Sequence, residues 1–161
     1  GGLLGLFTSV GAFTYLALNM ERDLPGFISD ERVLKVAVRE CNLMTSTVKG
    51  QPFDGTPGDR LDALRDQNTA VERMVDRIRS ISAKVRQSDR PLDAWLDDWE
   101  MLVSDRERYI GKQRRGEDAR FRVPRTPDGD PINERMDMAA EEVCKVPNVL
   151  LEPHLAGSQK I

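Results

Sequence analysis

The sequence predicts a mainly α protein: one N-terminal transmembrane helix, then an antiparallel four-helix bundle with a short hairpin or extended loop before its last helix. Three observations predict it. Residues 1–20 hold twelve apolar residues, four glycines and no charge, whereas all 24 basic and 27 acidic residues fall in the remainder. In that polar remainder, apolar residues recur at intervals of three and four, the period of a helix with one buried face. Clusters of Pro, Gly and Asp separate these runs by short connections, which favour antiparallel neighbours.

The first element is the apolar run GGLLGLFTSVGAFTYLALNM. A helix of this length spans about 30 Å, the thickness of a bilayer core. Thr8, Ser9 and Thr14 can return their hydroxyls to the backbone, and Tyr15 suits a membrane interface. A cleaved signal peptide fits less well, because no basic stretch precedes the run and Leu16-Ala17-Leu18 is a poor cleavage site. Gly1, Gly5, Ser9 and Ala12 fall near one face at spacing four, which would let a second membrane helix approach closely. Residues 21–28 read as a juxtamembrane linker, with Leu24-Pro25-Gly26-Phe27 as the breaker.

The bundle is expected over residues 29–147. Its first helix starts at Ser29 as N-cap, with Asp30 and Glu31 in the first turn, and runs on Val33, Leu34, Ala37, Val38, Cys41, Met44 and Val48 to Gly50. Residues 51–58 form a loop. The second helix is expected from Asp59 to Gln87 on Leu61, Leu64, Asn68, Val71, Val75, Ile78, Ser82 and Val85, a length of about 43 Å. Asn68 and Ser82 interrupt that stripe as hydrogen-bonded, register-setting positions. After Asp89-Arg90-Pro91, the third helix runs from Leu92 to Arg114 on Leu92, Trp95, Leu96, Trp99, Leu102, Val103, Arg106, Tyr109 and Ile110. Over residues 116–131, Phe121 and Val123 alternate with Arg120 and Arg122 as in a strand, ahead of the turn Thr126-Pro127-Asp128-Gly129-Asp130-Pro131. The fourth helix follows on Ile132, Met136, Ala139, Ala140 and Val143, with Cys144 at its end and Pro147 as its stop. Residues 148–161 read as an irregular tail.

Chemistry is sparse. A net charge of −3 offers no electrostatic footprint for nucleic acid. There is no P-loop, GxGxxG, GxSxG or HExxH motif, and His154 is the single histidine, so neither a His-based triad nor a zinc site is expected, and no cofactor. Asp128 and Asp130 read as turn residues rather than calcium ligands. Arg114, Arg115, Arg120, Arg122 and Arg125 form a basic patch, and Asp97, Asp98 and Glu100 an acidic one, both read first as solvated surface. Trp95 and Trp99 share a helical face with Tyr109 as a core cluster or, alternatively, an aromatic ligand site. Cys41 and Cys144 are expected to pair outside a reducing compartment; two reduced core thiols are the alternative.

Trp95-Leu96-Asp97-Asp98-Trp99, Asp105-Arg106-Glu107-Arg108-Tyr109, the run from Gly116 to Val123 and Asp128-Gly129-Asp130-Pro131-Ile132 resemble an uncharacterised family of actinobacterial membrane-anchored proteins. The resemblance covers roughly residues 90–147, with the anchor and first cysteine in matching order. It implies topology only: one span, a helical domain outside the cytoplasm and paired cysteines. The expected function is that of a non-catalytic accessory or assembly subunit of an integral membrane protein complex, such as a respiratory oxidase supercomplex. It would be anchored in the plasma membrane by its single pass and cover part of the extracytoplasmic face. Two alternatives stand beside it: an extracytoplasmic sensing or ligand-binding module, and a carboxylate enzyme of the cell envelope.

Overall fold

The computed structural model describes residues 26–51, 54–141 and 143–153. Those residues are mainly helical, in the order α1 (Glu31–Gly50), α2 (Pro57–Arg79), α3 (Ala83–Ser88), α4 (Pro91–Arg114), α5 (Ile132–Ala140) and α6 (Asn148–Leu151). Among them no helix is long and apolar enough to cross a membrane. The expected span, residues 1–20 with Gly1, Gly5, Ser9 and Ala12, lies outside the described residues.

Helix α1 begins one residue later than expected. Asp30 rather than Ser29 is the N-cap, its carboxylate accepting from Arg32 N at 2.8 Å. The expected loop ends early, because Thr56 and Asp59 build a reciprocal capping box with Pro57 inside it, and α2 starts there. The long second helix does not exist as one piece. Helix α2 stops at Arg79, and Ser80-Ile81-Ser82 turns the chain into the short α3. Ser80 Oγ donates to Arg77 O at 2.6 Å, and Ser82 becomes the N-cap of α3. A serine hydroxyl competes for backbone groups in this way, and the Ser80 bond falls where the helix ends although the apolar period would continue it. Ser82 is therefore exposed rather than a polar core position.

The three long helices run up, down and up. Cys41 of α1 faces Met74 of α2 (Sγ–Sδ 3.4 Å), and Val48 faces Gln67, so seven residues forward on α1 match seven back on α2. On the next pair, Asp62 meets Arg114, Asn68 meets Glu107 and Arg79 meets Asp97, again antiparallel. Asp89 ties the far end: its Oδ2 accepts from Ser29 N and Asp30 N, both at 3.0 Å, which satisfies donors at the start of α1 from the other side of the bundle. The fourth expected helix is short. Helix α5 has nine residues, packs on α4 and ends at Ala140, so Cys144 lies beyond it. The core holds Val33, Met44, Leu96, Leu102, Ile132 and Met136, with Trp95 and Trp99 at its centre.

Helix α5 ends in a tight turn in which Val143 N donates to Ala140 O at 2.9 Å. The turn places Glu141 at φ 45°, a conformation that costs an L side chain and suits glycine. Glu141→Gly is expected to raise stability by about 1 kcal/mol in urea unfolding. A drop in midpoint would show that the glutamate side chain contributes more than the backbone strain removes.

The segment expected to be irregular from residue 148 opens with a helical turn, α6, whose Leu150 is fully buried. The core therefore extends the folded unit past Pro147. Residues 154–161 lie outside the described residues.

Candidate functional site

A polar network is buried beside the apolar core. Arg106 projects from α4 into the core and is 1 % exposed. Its Nε donates to Asn68 Oδ1 at 2.6 Å, its Nη2 to Gln67 Oε1 at 2.6 Å, and its Nη1 to Leu150 O at 2.7 Å. Gln67 Nε2 in turn donates to Val48 O at 3.2 Å, and Asn68 Nδ2 to Glu107 Oε1 at 2.6 Å. One guanidinium thus joins α2, α4 and α6 and, through Gln67, the last turn of α1, where carbonyls lack intrahelical donors. All its direct partners are neutral. Burial pulls Arg106 down to about 10, and the Glu107 charge works against that fall. The stripe reading already placed Asn68 and Arg106 inward. Gln67 went unseen, because it sits beside the apolar stripe and only its neighbour Asn68 stood out.

The expected aromatic cluster divides. Trp95 and Trp99 meet edge to face with centroids 5.9 Å apart, and both are sealed in the core. Among the described residues, neither indole N–H has a hydrogen-bond partner. Tyr109 is not with them. It lies near the other end of α4, half-buried, with its ring 6.0 Å from Phe121. Burial pushes its hydroxyl up from the ordinary value. Ten helical residues separate Trp99 from Tyr109, about 15 Å along the axis, so sharing a face does not bring them together.

Cys41 and Cys144 form a disulfide with Cα atoms 5.7 Å apart, joining α1 to the segment after α5. A groove of about 510 Å³ runs beside it, lined among others by Lys49, Asp137, Lys145 and Val149. Asp137 Oδ1 accepts from Val146 N at 2.8 Å and pins this segment. Burial raises the Asp137 carboxyl above its ordinary 3.8, against the backbone donor and Lys145. The folded state therefore binds the proton more tightly than the unfolded chain, and stability attributable to this group falls as pH rises above 3.8. Asp137→Asn keeps an acceptor for Val146 N and removes the charge. It is expected to raise the urea midpoint at pH 7 and to leave it unchanged well below pH 3.8, where the native carboxyl is already neutral. A gain that persists at low pH would mean that the charge is not its source.

Two grooves flank the exposed ridge of α2. That between α1 and α2 measures about 560 Å³ and has Leu43, Met44 and Met74 along it, with Arg73 and Arg77 on its α2 side. That between α2 and α4 measures about 350 Å³ and collects Glu72, Asp76, Glu100 and Glu107. Arg79 holds Glu100, whereas Asn68 and Arg65 hold Glu107. Glu72 and Asp76 remain, one turn apart on the same helix. Among the described residues, no group of three or more His, Cys, Asp or Glu is placed to hold a metal ion.

The acidic patch points in two directions. Asp98 turns inward, where Arg135 grips it through two hydrogen bonds of 2.9 and 2.6 Å, while Asp97 and Glu100 share Arg79 outside. The basic patch also divides. Arg114 reaches Asp62, Arg115 reaches Glu117 and Arg125 reaches Gly129 O, but Arg120 and Arg122 are exposed and have no partner among the described residues. The hairpin reading of this region reduces to one bridge, Arg125 with Pro131, preceded by chain without regular secondary structure. No protein-family model, no curated protein and no solved structure matches the chain.

Proposed function

We propose that the chain is a non-catalytic, membrane-anchored accessory or assembly subunit whose helical domain stands on the extracytoplasmic side of the plasma membrane. One observation carries this reading: a charge-free apolar segment of twenty residues leads into a domain stapled by Cys41–Cys144. Structural disulfides persist in oxidising compartments, and an uncharged run of this length is matched to a bilayer core. Integral membrane proteins are its partners, a respiratory oxidase supercomplex being one assembly of the right kind. The small-residue face Gly1, Gly5, Ser9, Ala12 supplies a packing surface in lipid.

The carboxylate-enzyme alternative needs two acids facing each other across a cleft. In the α2–α4 groove, Glu100 and Glu107 are engaged in ion pairs and hydrogen bonds, and Glu72 and Asp76 project from a single helix. The sensing alternative needs an accessible aromatic site, whereas Trp95 and Trp99 are buried to within 1 %. Both observations favour the subunit reading.

Extraction of native membranes in mild detergent, followed by affinity purification of the tagged chain, tests it. Stoichiometric recovery of a multi-span protein is expected. In intact cells, external protease should reach the domain without lysis. Recovery as a free monomer, or protection of the domain until lysis, would overturn the proposal.

A further inference from the structure

We infer that residues 118–123 form an open strand edge that accepts an extended, acidic segment of a partner polypeptide by β-augmentation. This deepens the subunit reading and rests on it. Several features converge on this stretch. Side chains alternate: Arg120 and Arg122 are exposed, while Phe121 is buried against the core and packs on Tyr109. Among the described residues, no backbone N–H from Asp118 to Val123 has an intramolecular acceptor. Paired as a strand, these six residues would reach about 20 Å, an ordinary strand length.

The segment is also held in place. Upstream, Gly116 at φ 72° turns the chain off α4, Glu117 N donates to Lys112 O at 3.1 Å, and Gln113 Nε2 donates to Ala119 O at 2.7 Å. Downstream, Ile132 N donates to Pro124 O at 2.9 Å, and the Arg125–Pro131 bridge closes the following turn. Phe121 anchors the middle. A segment already held at both ends and in the middle loses little entropy when a strand adds to it. Main-chain bonding would supply the affinity and the two arginines the choice of partner. Exposed residues two apart on a strand lie about 7 Å from each other on one face, so Arg120 and Arg122 match two carboxylates at alternate positions. No carboxylate of this chain occupies either guanidinium among the described residues. Charged residues on an edge can instead serve to repel strand addition, and the experiment separates the two roles.

The test uses the whole chain extracted in detergent micelles, with and without Arg120→Glu/Arg122→Glu. The probe is a synthetic hexapeptide of alternating Val and Glu, with a Val–Lys peptide as control. Amide exchange of residues 118–123 is expected to slow with the Glu peptide and not with the Lys peptide, with binding about tenfold weaker in the charge-reversed variant. Equal protection by both peptides, or none, overturns the inference. So does self-association of Arg120→Thr/Arg122→Thr without peptide protection, which would make the arginines guards of the edge. Purification from native membranes separates this result from the broader reading. If the wild type brings down a multi-span protein and the charge-reversed variant brings down as much, the edge assignment fails alone. If the wild type purifies by itself, the subunit reading fails first.

Discussion

Arg106→Ala is expected to be the most damaging single substitution in the domain, lowering unfolding free energy by about 4 kcal/mol. The side chain is 1 % exposed, and its removal strands three acceptors at once: Asn68 Oδ1, Gln67 Oε1 and Leu150 O. Each buried acceptor left without a donor costs about 1–3 kcal/mol, and the cavity adds to that. A domain of this size has only about 5–15 kcal/mol of stability to lose. Arg106→Lys should remain close to the alanine variant, because one ammonium cannot present the planar fork that reaches three separate acceptors. Replacing the network together, as Arg106→Met/Gln67→Leu/Asn68→Leu, should recover part of the loss, since the two side-chain acceptors disappear with the donor and only the backbone carbonyls of Leu150 and Val48 lose one. Urea unfolding under non-reducing conditions measures all three. A loss below about 1 kcal/mol for Arg106→Ala would mean that water reaches the guanidinium in solution.

Removing the disulfide is expected to be nearly as costly. Cys41 and Cys144 are separated by 103 positions, and a closed loop of about that length restricts the unfolded chain by about 4.7 kcal/mol in the loop-entropy model. Cys41→Ala/Cys144→Ala should therefore lower stability by about 2–4 kcal/mol, the usual range for such bridges. Dithiothreitol should shift the wild-type urea midpoint and leave that of the double alanine unchanged. Sensitivity to dithiothreitol in the variant, or none in the wild type, would contradict the pairing. The two losses should not add. Arg106 holds Leu150 and the disulfide holds Cys144, so both restrain the same C-terminal segment against α1 and α4. A double-mutant cycle should report a coupling of about 1 kcal/mol.

The extents of the long helices show where sequence period suffices. Helix α4 follows its expected limits within a residue, because Pro91 begins it, a continuous apolar stripe carries it and Gly116 ends it. Helix α2 fails the same reading at its C-terminal end. Ile81 and Val85 continue the spacing, yet Ser80 donates to Arg77 O and Ser82 stands at the start of a new helix, which the period does not register. Beyond α5, four residues were assigned to a helix that the turn at Glu141 terminates. The Trp95–Trp99 pair was legible, since one helical turn is a local relation. The partner of Tyr109 was not, because Phe121 reaches it only through the turn after α4.

Amphipathic spacing and its punctuation, both local properties, were enough to determine a mainly helical domain, the inward placement of Asn68 and Arg106, and two cysteines available to pair. Tertiary packing alone decided that Arg106 meets no carboxylate directly among the described residues, that α6 belongs to the core, and that Arg120 and Arg122 stay exposed on either side of buried Phe121. Those outcomes depend on which surfaces meet across the bundle, and a side chain's hydrogen-bond partners there come from helices tens of residues away in the chain.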